Sequence, residues 1–318
     1  MKPLVTTLFV FLFLFSKAQD YKTIVKQADA YYNQKNYAES IAMFQQAFAL
    51  EKKNPEHLYN AACSAALSGN KDLAFEWLNL AADNGWYNLR HLQNDSDLSS
   101  LNDSEQWNSL IAKIQKEVDR IESKMDKPLR DQLLKIFEED QGIRHEYIAA
   151  IEKYGQKSVQ LDSIAEIMIY KDSINLIAIT NILDTKGWVG ADKVGGQANQ
   201  TIFLVIQHAD LKTQQKYLPM MRDAVTNNNA NKSSLALLED RVALGEGKRQ
   251  IYGSQIGFDE ETNVYYVLPL EDPLHVDERR ATMELGTISD YVGRWNIEWD
   301  AEQYLKLLPE LEKKQNRN

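Results

Sequence analysis

The residues of this chain best suited to chemistry are polar groups set into otherwise apolar patterns. His208 and Asp210, within the run QHAD, place an imidazole beside a carboxylate, the pairing a general base needs. Asp240, within LEDR, is a second carboxylate suited to orienting that ring, so His208, Asp210 and Asp240 are the catalytic candidates. The adjacent Arg279 and Arg280 have the charge and planar donor geometry to hold an anionic group. Asp140, Gln141 and Arg144 stand at the helical phase of Leu129, Leu133, Ile136, Phe137, Tyr147, Ile148 and Ile151, where they interrupt an inward stripe. Gln207, Arg241, Gln250, Tyr252 and Gln255 complete the ligand-binding candidates. Burying such groups is costly unless they meet one another or a ligand. The expected solution is convergence, with a hairpin carrying Gln250, Tyr252 and Gln255 toward the helix ends that hold His208 and Asp240.

Other chemistries lack their residues. His145 and His275 have no ligand spacing to His208, so no metal site is expected, and no motif implies a cofactor. A nucleophile elbow, a phosphate-binding glycine loop and a zinc motif are all missing. A net charge of −10 without a basic cluster argues against nucleic acid or anionic lipid as partner.

The elements that would position these groups begin after residues 1–18. There Lys2, an apolar run from Leu8 to Phe15 and the small Ser16 and Ala18 form the pattern of a secretory signal peptide. The run is shorter than the ~20 residues a spanning helix needs. Cleavage after Ala18 or Gln19 would leave a periplasmic or secreted chain with no membrane anchor. Cys63 is the only cysteine, so no intrachain disulfide is available, and its alanine-rich surroundings predict a buried, inert thiol.

Across residues 20–124 a 34-residue offset pairs Ala28 with Ala62, Ser40 with Ala74, Phe44 with Leu78 and Ala47 with Ala81. That period, with Tyr31, Tyr37 and Pro55, resembles the tetratricopeptide repeat, a stack of helical hairpins. Trp86, Leu89, Leu92, Leu98, Leu101, Trp107, Leu110 and Ile114 supply a helical cap. His57, at a turn, and His91, in the cap, read as surface residues. The resemblance implies either a groove for a protein or peptide partner or a packing module.

A second domain is expected over 126–312. Asp126 caps a helix that Gly155 ends, with a kink or break expected at Gly142. Ile174, Ile177, Ile182 and Leu183 give the inward face of the next helix, which stops at Gly187. The run TIFLVI, apolar all round, predicts a fully buried helix ending at His208. Ser233 or Ser234 caps a helix with Leu235, Leu238 and Val242 inward, stopping near Gly245 and Gly247. RQIYGSQIGF and NVYYVLPL then alternate as paired strands, with Gly253 and Gly257 marking a bulge or a close backbone approach. The fold class expected is therefore mainly α: helical hairpin repeats followed by a helical domain with a small β-hairpin.

From Lys127 to Leu308 the ordered pieces DQGIR, GW, QHAD, LEDR, GKRQIYGSQ and DERR resemble a bacterial domain of unknown function, family 6624. Ser254 stands where that pattern has Thr, and Glu284 where it has Gly. The resemblance implies a domain and a set of motif positions, but no activity. Two functional readings follow. One is an interaction protein whose repeats bind a partner and whose second domain carries a polar pocket. The alternative is a hydrolase-like enzyme with His208 as general base and Arg279 or Arg280 holding an anionic group.

Overall fold

The computed structural model describes residues 21–50, 54–155, 157–259 and 261–315. The expected signal segment lies outside them. Two compact units meet between Ser123 and Lys124. The class is mainly α with one antiparallel two-stranded hairpin. No described helix is long and apolar enough to cross a membrane.

The first unit comprises α1 (21–33), α2 (Tyr37–Leu50), α3 (Pro55–Leu67), α4 (Lys71–Asp83), α5 (Leu89–Asn94), a 3-10 turn (Ser96–Leu101) and α6 (Glu105–Glu122). Residues at the 34-residue offset share one environment: Ala28 and Ala62, Ser40 and Ala74, Phe44 and Leu78, and Ala47 and Ala81 are all buried. The small members let helices approach closely, while Phe44 and Leu78 fill the space between. Asn54, Asn70, Asn88 and Ser104 cap the helices with side-chain oxygens on backbone N–H groups, which separates successive hairpins cleanly. Trp86, Leu92, Leu98, Leu101, Trp107, Leu110 and Ile114 close the core as a cap should.

The second unit runs through α7 (Lys127–Tyr154), α8 (Val159–Lys186), α9 (Ala191–Val194), α10 (Gly196–His208), α11 (Leu211–Thr226) and α12 (Lys232–Gly245). It continues with β1 (Ile256–Asp259), β2 (Val264–Val267), α13 (Val276–Thr282), α14 (Ile288–Val292) and α15 (Ala301–Gln315). The TIFLVI run is apolar all round because α10 touches α7, α8, α9, α11 and α12. Its residues Thr201, Ile202, Phe203, Val205 and Ile206 are buried. A second, smaller core gathers Val267, Leu270, Val276, Ile288, Val292, Tyr304 and Leu308 around the hairpin.

Four expectations need correction. Gly142 does not break α7, which is continuous. Ile174 and Ile177 are exposed on α8 and Ile148 on α7, because nothing packs on those faces, whereas Ile182 and Leu183 are inward as expected. The cap of α12 is Asn231, and Ser234 lies buried inside the helix. The strands are also shorter than their alternation suggests, since 249–255 forms an irregular loop and pairing begins at Ile256 opposite Val267.

Gly253, within that loop, takes φ +69, and a Cβ there would stand 2.7 Å from Cδ1 of the buried Ile288. Gly253→Ala therefore combines left-handed backbone strain with overpacking and should cost about 1–3 kcal/mol, read as a lowered urea midpoint at unchanged slope.

Candidate functional site

Two places in the chain gather polar side chains that face solvent, and a third gathers polar side chains that do not. In the first unit, α1, α3, α5 and the 3-10 turn line a cleft of about 560 Å³. Asp29, Tyr32 and Asn33 come from α1, Tyr59, Asn60 and Cys63 from α3, and His91, Asp95, Ser96 and Asp97 from the cap. The Tyr32 hydroxyl donates to Asp97, and that of Tyr59 to Asp95 at 2.6 Å. Burial and then the hydrogen bond to Asp95 raise the Tyr59 phenol, while the hydrogen bond to Asp97 is the main cause raising that of Tyr32. Tyr59 stacks on Trp86 with ring centroids 4.0 Å apart, which fixes its hydroxyl over the carboxylate. Cys63 is buried, its thiol 3.7 Å from Asp95, and burial raises its pKa, so it is as inert as its surroundings imply. His91 is exposed, as expected, and its Nε2 lies 3.6 Å from Asp95. His57 meets the Tyr21 hydroxyl at 2.7 Å.

In the second unit α7, α8 and α10 bring together Asp140, Gln141, Arg144, Asp172 and His208. Arg144 donates through Nη2 to both Asp172 oxygens at 3.0 Å, and its Nη1 lies 3.1 Å from Asp140 Oδ1. Gln141 Nε2 donates to Asp140 Oδ2 at 2.6 Å. Burial works to raise the Asp140 carboxyl, but His208, Arg144 and Gln141 together hold it below the ordinary carboxylate value. Arg144 Nη2 also lies 2.7 Å from His208 Nδ1. Nδ1 also stands 3.7 Å from Asp140 Oδ1, so this edge of the ring is taken up by Arg144 and Asp140. Nε2 has no partner among the described residues, and the side chain is a quarter exposed. The ring thus turns Nε2 toward solvent while Nδ1 is engaged by Arg144.

The partners expected for His208 are elsewhere. Asp210 caps α11, accepting from the Thr213 N–H at 2.8 Å. Asp240 is fully buried and accepts from the backbone N–H groups of Ile251, Tyr252 and Ser254 at 2.6, 2.9 and 2.9 Å. Its burial raises its pKa, against these bonds.

Around that loop lies the third gathering. Gln250, also fully buried, donates to the carbonyls of Gln255 and Leu268 and accepts from the Gln255 N–H. Arg279 donates to the carbonyls of Ile251, Glu271 and Asp272. Arg280 donates to Gly286 and Tyr252. Tyr252 donates to Glu239 and Gln255 to Ser254; burial first, then Glu239, pushes the Tyr252 phenol up to about 12. Both arginines are engaged by carbonyls, so they do not face the imidazole as anion holders. No hydrogen bond or ion pair joins this network to His208 among the described residues, and Gln207 and Arg241 bond to neither group. The polar residues converge, but as two groups.

Sequence reasoning missed Asp172 and Asn175, one turn apart on α8. The Asn175 side chain is buried and its Nδ2 has no partner. Nothing local marks either residue, because they meet α7 only through the hairpin that α7 and α8 form.

The family DUF6624, described as a family of unknown function, matches residues 127–301. The chain belongs to DUF6624. The match takes in Asp140, Arg144, Asp172, His208 and the whole loop network. A second match, to an A/B hydrolase-like N-terminal domain, spans residues 20–121. This corrects the tetratricopeptide assignment: the stacked hairpins are present, but the likeness is to that other domain. The two matches flank the division between units. No curated protein and no solved structure matches the chain.

Within the DUF6624 unit, Asp240→Ala would leave three buried N–H groups without an acceptor, a loss of ~3 kcal/mol or more. His208→Ala removes one bond at the surface and should stay within about 1 kcal/mol; thermal melts of the two variants should separate them. Asp140 titrates in the opposite sense to Asp240. Because its folded pKa is lowered, its stabilisation is full above the unfolded value of about 3.9 and is lost as pH falls through the folded value. The stability gap between the wild type and Asp140→Asn should therefore be widest above that unfolded value and narrow on acidification.

Proposed function

We propose that this is an exported binding protein whose N-terminal unit grips a peptide segment of a partner through the cleft of α1, α3 and the cap. The observation that carries the reading is the chemistry of that cleft: Asp29, Asp95 and Asp97 line it with no lysine or arginine among its residues. Asn33 and Asn60 add carboxamides without hydrogen bonds, each offering a donor and an acceptor to a peptide backbone. The exposed His91 ring, packed against buried Tyr59, adds a flat surface on which an aliphatic stem can lie. The segment that fits is one presenting a lysine or arginine, its charge toward the carboxylates. Export is supported by the charged, apolar and small-residue succession of residues 1–18. The hydrolase alternative has no comparable support, because its base and anion holders are bonded elsewhere.

Burial raises the Asp29 carboxyl above its ordinary value, against a smaller opposing pull from His57. A bound cation would lower it, so the complex holds fewer protons than the free protein, and affinity should rise with pH through the Asp29 titration and fall on acidification. Isothermal titration with short lysine-containing, neutral and glutamate-containing peptides tests the reading. The basic set should bind, and Asp97→Asn and Asn60→Ala should each weaken it, about tenfold for the charge. Binding by none of the peptides, or preferential binding of the acidic set, overturns it.

A further inference from the structure

Arg241 is the polar residue of the C-terminal unit that the loop network leaves unexplained. Its neighbour on α12, Asp240, is saturated by three amides, and Glu239 is held by Arg222 at 2.7 Å and by the Tyr252 hydroxyl. Arg241 itself makes no hydrogen bond and no ion pair among the described residues, and its Nε is buried without an acceptor. Arg241 is half-buried, so its terminal nitrogens reach solvent while Nε is closed off with nothing to donate to, an unfavourable position for a permanent cation.

Other cations crowd the same place. Tyr291, within electrostatic reach of Arg241, has the Arg280 guanidinium 5.0 Å and the Arg294 guanidinium 5.6 Å from its ring centroid. Arg280 is fixed by the carbonyls of Gly286 and Tyr252, and the Tyr291 hydroxyl donates to Ser254 at 2.7 Å, so phenol and guanidinium form a rigid wall. Arg294 is exposed and carries no ion pair. The carboxylates in reach are already committed: Asp240 to its three amides, and Asp277 to the Ile288 N–H at 2.6 Å. The local balance is cationic, with one guanidinium half-buried and one exposed.

We propose that Arg241 and Arg294, flanking Tyr291, form a binding site for an oxyanion group, carboxylate or phosphate, of a small ligand. Arg241 supplies half-buried donors without a partner in the protein, and a planar guanidinium matches two oxygens of either anion. Arg294 closes over the ligand from solvent. This site is separate from the cleft of the first unit and does not rest on the peptide reading.

The test is the thermal melt of the full chain in sodium phosphate, sodium acetate and sodium chloride at matched ionic strength. Phosphate or acetate should raise Tm saturably above chloride, and whichever acts identifies the anion. Arg241→Met should abolish that shift, Arg294→Gln should weaken the apparent affinity about tenfold, and the exposed Lys212→Met should leave it unchanged. A shift no larger than that of chloride, or one equal in all four proteins, overturns the site. Should Arg241→Met fail to fold, Arg294→Gln decides alone: an affinity unchanged from the wild type overturns the proposal.

Discussion

Three backbone N–H groups, of Ile251, Tyr252 and Ser254, point at the single carboxylate of Asp240. That carboxylate stands on α12 in the larger core of the C-terminal unit, and the loop it holds leads directly into the strands of the smaller one. A buried charge of this kind is tolerable only when its acceptors are saturated, which is why the loop cannot be regular: amides aimed at one point cannot also form a ladder. Gln250 supports the loop from within, Arg279 and Arg280 take up its outward carbonyls, and Gly253 supplies the one backbone conformation that closes it. The two cores are thus joined by electrostatics more than by apolar contact.

This explains what the sequence could and could not reveal. The buried character of α10, the caps Asp126 and Gly155, the pairing of residues 34 apart and the close approaches at Gly253 and Gly257 are local properties, legible from periodicity and residue type. The residue types at 249–255 alternate like a strand, yet the hydrogen-bond partner that decides the conformation, Asp240, lies on another element. Asp210 looked like the partner of His208 because it is two residues away. As the first residue before α11, however, its carboxylate is turned to the Thr213 amide. The true neighbours, Arg144 and Asp140, are more than sixty residues distant.

The two solvent-facing gatherings differ in what they offer. In the N-terminal cleft the tyrosine hydroxyls bond the carboxylates sideways and leave the pocket acidic. On α7, α8 and α10 Arg144 stands between Asp140 and Asp172, and the imidazole turns Nε2 to solvent. The first arrangement leaves carboxylates lining an open cleft; the second ties three helices together.

The hairpin of α7 and α8 has a further consequence. Each helix has 28 residues, so each is about 42 Å long, whereas α10, which packs against both, has 13. Beyond Arg144 and before Asp172 only Ala150 and Leu161 are buried among the described residues. The distal half of the hairpin therefore owes its helicity to its own backbone and to its twin, and its opening does not require the core to open. The Arg144–Asp172 pair thus divides α7 into a stretch anchored in the core, from Leu129 to Ile143, and a stretch toward Tyr154 free to open by itself.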